Sequence, residues 1–187
     1  MVHSPAHALP AISRTRLECL FDGIFAIAMT LLVLDLKVPD LKDPHSSAEL
    51  ARELSKYTAT YGSYALSFIV LGGMWYRHNH HCHHFKIITR FMLYCHLVQL
   101  AMAALFPFCA ALVGRYPSNS MANSVYVGCI FFYLWASLVN WLAAGHAGAL
   151  TPETTPLDFR RGRNRLLRSC LVVSVIFGFV VFRSLGS

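Results

Sequence analysis

A long apolar run near the start of the chain, Arg16–Pro39, is the feature that most constrains the fold. Residues 24–34 carry no charge, and a helix over residues 19–38 would be about 30 Å long, the thickness of a bilayer's hydrocarbon core. Asp22 and Thr30 nevertheless lie within this run, and polar groups in a spanning segment normally face protein or a water-filled path rather than lipid. The run therefore predicts a transmembrane helix that forms part of a pore wall.

The helical period groups one set of side chains on a single stripe of this helix. Ile27, Thr30, Leu31 and Leu34 fall at i, i+3, i+4 and i+7. Several copies of the stripe around an axis would form apolar rings with a hydroxyl layer, and a narrow apolar throat can gate by dewetting. Ordinary helix packing explains the same spacing and is the commoner cause of it. The spacing alone leaves both interpretations open.

The rest of the chain predicts an all-α, multi-pass membrane protein. Hydrophobic residues make up 56% of the 187 residues and charged residues 13%, a balance that soluble domains of this size rarely reach. Residues 1–13 predict a flexible lead, residues 14–187 a single transmembrane domain, and residues 48–56 a short amphipathic helix. Five spans are predicted, at about 19–38, 57–76, 91–113, 124–144 and 166–182.

The basic residues predict the orientation in the membrane. They concentrate before the first span, between the second and third, and between the fourth and fifth: Arg14, Arg16, Arg77, Lys86, Arg90, Arg160, Arg161, Arg163, Arg165 and Arg168. Lys and Arg mark the cytoplasmic side of membrane proteins, so the N-terminus is predicted to be cytoplasmic. Because these charges lie beside the membrane with no base-reading aromatic motif, we expect anionic lipid as their partner rather than nucleic acid.

The first helix resembles that of a known family. Arg16, the pair Asp22-Gly23 and the run IFAIAMTLLVLDLKVP are similar to the transmembrane protein 175 family of potassium channels, whose first helix carries an Arg, then FSDG, then VFAIAITLLVL and an acidic-basic-Pro end. The match covers roughly twenty residues. Leu20 and Phe21 stand where the family has the FS of FSDG, so the hydrogen bonding of that serine is missing here.

The resemblance implies a function and a pore. It assigns Ile27, Leu31 and Leu34 to the pore lining and gate, and Thr30 to the hydroxyl layer that some bacterial members use in selectivity. It also implies a homotetramer that conducts potassium ions across the bacterial inner membrane. Bacterial members have six helices with both ends inside, whereas this chain stops where a sixth span would begin. Whether the chain is cut there or this member dispenses with that helix stays open.

The resemblance further implies a polar network that supports the first helix. Its members are Arg16, Asp22 and Gly23 at the start of that helix, and Trp75 and His78 at the end of the second span. Arg16 and Asp22 are six residues apart, which is poor spacing for a pair within one helix and leaves a pair between subunits possible. The alternative is a simple girdle of interfacial side chains.

Histidines dominate the segment after the second span. His78, His80, His81, His83 and His84 surround Cys82, and His80 and His84 are spaced to share one helix face as weak candidates for a metal site. We expect no physiological metal or cofactor there, since no second ligand group is evident. His96, Gln99 and Asn140 lie inside spans, where hydrogen bonding between helices is their expected role.

Two alternatives to a potassium channel remain at this point. One is a membrane-embedded redox subunit that binds metal or haem through the histidines, and the other is a proton leak, because the lysosomal relatives are implicated in proton flux. The sequence contains no catalytic triad, phosphate loop or zinc-protease motif, so an enzyme is not expected. It also lacks a TVGYG filter loop, so we expect only modest potassium selectivity.

Overall fold

The apolar runs form a bundle of helices. A computed structural model describes residues 13–186, so most of the predicted lead over residues 1–13 lies outside the described residues. Within that range the helices are α1 Arg14–Leu31, continued by a 3-10 turn Leu32–Asp35, then α2 Ser47–Ser55, α3 Thr58–Cys82, α4 Arg90–Arg115, α5 Ser120–His146 and α6 Pro156–Leu185. The predicted all-α class and the short helix before the second span are confirmed.

Polar side chains at the N-caps explain where the long helices begin. Ser13, Thr89 and Asn119 each accept a hydrogen bond from a backbone N–H of the first turn, which satisfies one of the free amides there. The first turn of α6 has a full capping box, in which Thr155 and Asp158 bond each other's backbone N–H. This cap places the start of α6 before the arginine-rich run, so that run is helical.

Two boundaries differ from the predicted spans. The fifth span was predicted to begin near residue 166, but α6 begins at Pro156 and includes the arginines 160–168 in its first turns. The second span was predicted to end near residue 76, but α3 continues to Cys82 through most of the histidine segment. Both differences arise because hydropathy marks the apolar part of a helix, whereas capping and packing decide where the helix ends.

Four helical segments of the described range are long and apolar enough to cross a bilayer. They are Arg14–Asp35, Arg90–Arg115, Ser120–His146 and Pro156–Leu185. The predicted count of five is wrong by this measure, because α3, which matches the predicted second span, is not among them. Its hydroxyl and imidazole side chains lower its hydropathy.

Helix α3 nevertheless lies along two of these segments from end to end. Thr60 and Ser63 donate hydrogen bonds to the carbonyls of Gly114 and Ala110 near the end of α4, while Trp75 lies against the start of α1. At about 1.5 Å per residue its 25 residues span about 37 Å. The hydroxyls of Thr60 and Ser63 are therefore satisfied by backbone carbonyls inside the bundle.

The long helices alternate in direction, so the α3–α4 and α5–α6 loops meet at one end of the bundle. The loops after α3 and α5 are tied there by backbone bonds: Lys86 N–H donates to Ala149 O and Thr151 N–H to His84 O, each at 2.8 Å. This end, which we call the basic end, holds the start of α1, both loops and the start of α6. The basic residues that the sequence grouped on one side of the membrane lie here.

Glycines let α5 and α6 approach closely near the basic end. A Cβ on Gly162 would lie 2.7 Å from the Trp141 ring, and one on Gly145 would lie 2.5 Å from the Phe159 ring. The Trp141 and Phe159 rings stack on each other with centroids 5.6 Å apart. The absence of side chains at the two glycines therefore makes room for this aromatic pair.

Candidate functional site

Helix α1 has one buried face and one open face. Its buried face consists of Leu17, Phe21, Phe25, Ala28 and, in the 3-10 turn, Leu32. The predicted pore stripe lies on the other side: Ile27 is 60% exposed, Leu31 44% and Leu34 74%. These side chains are therefore not part of the core of one protomer. Their assignment to a pore lining stays a prediction.

The far end of the stripe departs from the predicted geometry. The first span was predicted as one helix to residue 38, but α-helical geometry ends at Leu31 and the 3-10 turn ends at Asp35. A 3-10 helix advances by about 120° per residue instead of about 100°, so Leu34 lies about 60° further around the axis than a continuous α-helix would place it. Ile27 and Leu31 keep the predicted alignment, and Leu34 is offset from them.

The hydroxyl of Thr30 is held in one orientation on the open face. Its Oγ1 donates to the carbonyl of Ile27 at 2.8 Å and lies 3.1 Å from that of Ala26. Because the backbone carbonyls engage the proton, the oxygen lone pairs of Thr30 are left as an acceptor. Such an oxygen can contact a cation.

Asp22 and Trp75 connect the start of α1 to α3, as the resemblance implies. The indole Nε1–H of Trp75 donates to Asp22 Oδ1 at 2.8 Å. Gly23, next along α1, lies on an open surface where an added Cβ would meet nothing within 4 Å. Packing within the protomer therefore does not require glycine there.

Arg16 does not join this network within the protomer. Its side chain is exposed and makes no hydrogen bond or ion pair with any residue between 13 and 186. Arg14 instead pairs with Glu18 at 2.9 Å and reaches the carbonyl of Phe85 in the loop after α3. The ion pair of Arg14 with Glu18 was not predicted from the sequence, although their i, i+4 spacing is typical of helix ion pairs.

His78 lies in the core rather than on the surface. Its ring stacks on Phe21 with centroids 3.3 Å apart, and its Nε2 lies 3.2 Å from Cys82 Sγ. Across the helix interface, the His96 ring lies edge-on to His78 with centroids 5.4 Å apart, and His96 Nε2 is hydrogen-bonded to Asn140. The expected hydrogen bond between α4 and α5 is confirmed, but the gathering of His78, Cys82 and His96 was missed.

The metal candidates of the sequence analysis, His80 and His84, lie apart from this cluster. His80 is exposed and stacks on Tyr76, while His84 Nδ1 lies 3.0 Å from Thr154 Oγ1. The pKa of His84 is lowered from its ordinary value, mainly because the ring is partly buried and to a lesser extent because His80 is close. His84 is therefore neutral at pH 7, hydrogen-bonded to the loop after α5.

The Asp22–Trp75 bond yields a testable prediction. Trp75→Phe and Asp22→Ala should each lower the thermal stability of the protein in detergent. The double variant should lose less than the sum by about 1 kcal/mol, the net free energy of one hydrogen bond. Tyr76→Phe serves as the matched control, because Tyr76 is adjacent but makes no bond to Asp22. Strictly additive losses in a double-mutant cycle would contradict the coupling.

The chain is similar to known proteins in both sequence and fold. A family model described as endosomal/lysosomal potassium channel TMEM175 matches residues 16–107. A protein of Chamaesiphon minutus named as a potassium channel is 34% identical over 161 residues, which cover 79% of this chain and 77% of that protein. A crystal structure of a lysosomal potassium-selective channel TMEM175 homolog from Chamaesiphon minutus superposes with a TM-score of 0.77 at 25% identity, covering 92% of this chain and 90% of that one.

Other relatives are longer than the region they share with this chain. A potassium channel of Streptomyces collinus is 34% identical over 110 residues, covering 59% of this chain and 52% of that protein. The endosomal/lysosomal proton channel TMEM175 of Gallus gallus is 28% identical over 142 residues, covering 71% of this chain. This chain thus spans about half the length of the first relative and 28% of the second.

Proposed function

The chain belongs to the TMEM175 family, and from that membership we propose that it forms a cation channel that conducts potassium in preference to sodium. The Chamaesiphon protein, with which it shares most of its length, is named as a potassium channel. The relatives are channels rather than enzymes or redox subunits, so the redox alternative is not retained. The resemblance read from the first helix thus extends over most of the chain.

The open face of α1 is the observation that carries the proposal. In the proposed homotetramer, four copies of Ile27, Leu31 and Leu34 face a common axis and form the gate. Other helices also expose apolar side chains, which lipid can cover; this stripe differs because it coincides with the positions that the family resemblance assigns to the pore lining. Apolar rings in a narrow throat resist wetting and therefore limit ion flow.

Thr30 supplies the proposed selectivity. Its hydroxyl oxygen lies between the Ile27 and Leu31 levels of the stripe, with its proton engaged by the Ile27 carbonyl. A ring of such oxygens can replace part of the hydration shell of an ion, and potassium releases that shell more readily than sodium. Without a carbonyl filter, the expected preference is modest.

The proposed location is the bacterial inner membrane, with the basic end in the cytoplasm. The arginines at the starts of α1 and α6 and beside the α3–α4 loop lie at one end of the bundle, which is the pattern that the positive-inside rule associates with the cytoplasm. There the Asp22–Trp75 bond and His78 hold the start of the pore helix. Arg16, which has no partner among the described residues of its own protomer, is proposed to contact a neighbouring subunit.

Proton conduction is a second candidate, because the Gallus gallus relative is named as a proton channel. An apolar throat that admits a transient file of water could pass protons as well as potassium. The experiment that separates the two is flux into proteoliposomes that contain the purified protein, measured under opposed potassium, sodium and proton gradients. Potassium flux above sodium flux supports the proposal. Proton flux alone would support the alternative, and no flux of any of the three would contradict both.

Replacement of the hydroxyl tests the selectivity proposal. Thr30→Ala should lower the potassium-to-sodium permeability ratio roughly fivefold, if the ring of oxygens contributes about 1 kcal/mol of discrimination. Thr30→Ser retains the hydroxyl and should retain the ratio. Reversal potentials in planar bilayers under bi-ionic conditions give both values. Equal ratios in the parent and Thr30→Ala would remove Thr30 from the mechanism.

A further inference from the structure

Three side chains that commonly bind metals meet inside the bundle near the basic end. The ligand atoms of His78 and Cys82 on α3 and of His96 on α4 all lie within 4.8 Å of one another, and all three residues are buried. His78 Nε2 and Cys82 Sγ are 3.2 Å apart. Two ligands of one tetrahedral zinc or copper ion, each about 2.0 to 2.3 Å from it, are separated by a similar distance. The three atoms therefore need little movement to share one ion.

The bonding of His96 prepares it for this role. Its Nδ1 lies 2.7 Å from the carbonyl oxygen of Met92, which can only accept, so the proton resides on Nδ1. In this structure the Nε2 lone pair accepts a hydrogen bond from Asn140 Nδ2, and it becomes free for an ion when that amide turns. Histidines that bind metals are typically oriented in this way, by donating their other N–H to a backbone carbonyl or carboxylate.

An unpartnered oxygen next to His96 is a second, independent observation. Asn140 is 4% exposed, and its Nδ2 lies 3.1 Å from His96 Nε2, but its Oδ1 has no hydrogen-bond partner within residues 13–186. A buried acceptor without a partner is costly and rare. Rotation of the amide by a half turn would exchange the two atoms and bring Oδ1 beside His96 Nε2. A cation bound to His96 would then satisfy this oxygen.

We propose that His78, Cys82 and His96 bind one soft transition-metal ion of the copper(I) or zinc class, with Asn140 Oδ1 as the fourth ligand. Thiolate and imidazole are the ligands that these ions prefer. On binding, the Cys82 thiol gives its proton to solvent and its sulfur bonds the metal. Copper(I) with one thiolate is neutral, whereas zinc leaves one positive charge, so the buried position favours copper(I).

The site lies next to the basic end and contacts α1. Cys82 is the last residue of α3, and exposed His83 follows it in the chain. On the other side, the ring of His78 stacks on Phe21 of α1. A bound ion would therefore link α3, α4 and α5 on the buried side of α1. It would also fix the His78 ring, against which Phe21 of α1 packs.

Metal analysis of the full chain, purified without a polyhistidine tag, tests the proposal. The protein is stripped with a chelator and loaded in separate arms with copper(I) under reductant or with zinc. It is then passed through a desalting column with a weak competing ligand. The expected result is one ion per chain, retained in the double variant His80→Asn, His83→Asn, which removes exposed histidines. Cys82→Ser and His96→Gln should lose it, and Asn140→Leu should bind about 10 to 100 times more weakly.

Spectroscopy of the parent protein keeps the test independent of whether each variant folds. X-ray absorption should report one sulfur and three nitrogen or oxygen neighbours, with sulfur at about 2.3 Å in the zinc arm. Addition of the ion should also raise the thermal transition, because it binds only the folded site. Any of three results would overturn the proposal. They are a parent protein that retains no metal, a His80→Asn, His83→Asn variant that loses it, and a coordination shell that contains no sulfur. In those cases the cluster would be a hydrogen-bonded core only.

Discussion

An asparagine in place of Ile27 is expected to raise potassium flux through the reconstituted protein about tenfold, which corresponds to lowering the barrier by about 1.4 kcal/mol. The physical reason is that Ile27 is 60% exposed on the open face of α1, so its substitution places four amides in the proposed throat of the tetramer. A polar ring lets water occupy a constriction that an isoleucine ring excludes. Flux assays in proteoliposomes measure the effect.

A chemically identical change on another helix is the control for this prediction. Ile176 on α6 is 45% exposed, and Ile176→Asn should leave flux near the parent value. Ile27→Val, which keeps the ring apolar, should do the same. An equal rise in Ile27→Asn and Ile176→Asn would mean that the stripe faces lipid and that the ion path lies elsewhere.

Truncation of Phe21 to alanine is expected to lower the free energy of unfolding by about 3 to 5 kcal/mol, the range for deleting a buried aromatic ring. Phe21 is fully buried and contacts three rings: it stacks on His78 and Phe25 and meets His96 edge-on. Its loss would leave a cavity between α1 and the helices behind it. Thermal unfolding in detergent, followed by intrinsic fluorescence, gives the size of the loss.

Leu20 provides the matched control, since it precedes Phe21 in the sequence but lies on the open side and is 47% exposed. Leu20→Ala should change protomer stability by a small fraction of the Phe21→Ala effect. Comparable losses in the two variants would contradict the assignment of buried and open faces to α1. Leu20 and Phe21 stand where the family motif FSDG has Phe and Ser. In this chain the first is a partly exposed leucine and the second is a buried aromatic ring.

The stripe on the first helix could be predicted from the sequence because its side chains follow the α-helical repeat. Aromatic rings and an alanine recur on one face, while Ile27, Thr30 and Leu31 recur on the other, so the grouping needed only the α-helical repeat. That Asp22 and Trp75 belong to one network also followed, through the family resemblance, but their direct hydrogen bond did not. What the open face contacts could not be predicted from the sequence of one chain.

Other features depend on contacts that no local pattern contains. The second span was predicted from the sequence but its contacts were not: Thr60 and Ser63 donate to carbonyls of α4 that lie at matching heights. The meeting of His96 with His78 and Cys82 likewise depends on the register of α3 against α4. In sequence, His78 and Cys82 differ little from the exposed histidines between and after them.

The 3-10 turn Leu32–Asp35 at the end of α1 allows a local change of conformation. Its conversion to α geometry would swing Leu34 back by about 60° and draw it inward along the axis by about 1.5 Å, because each residue then turns by 100° and rises 1.5 Å rather than 2.0 Å. Ile27, about two turns earlier, would not move. In the proposed channel, an exchange of a few backbone hydrogen bonds would therefore change the direction of Leu34 at the outer end of the pore while Ile27 keeps its position.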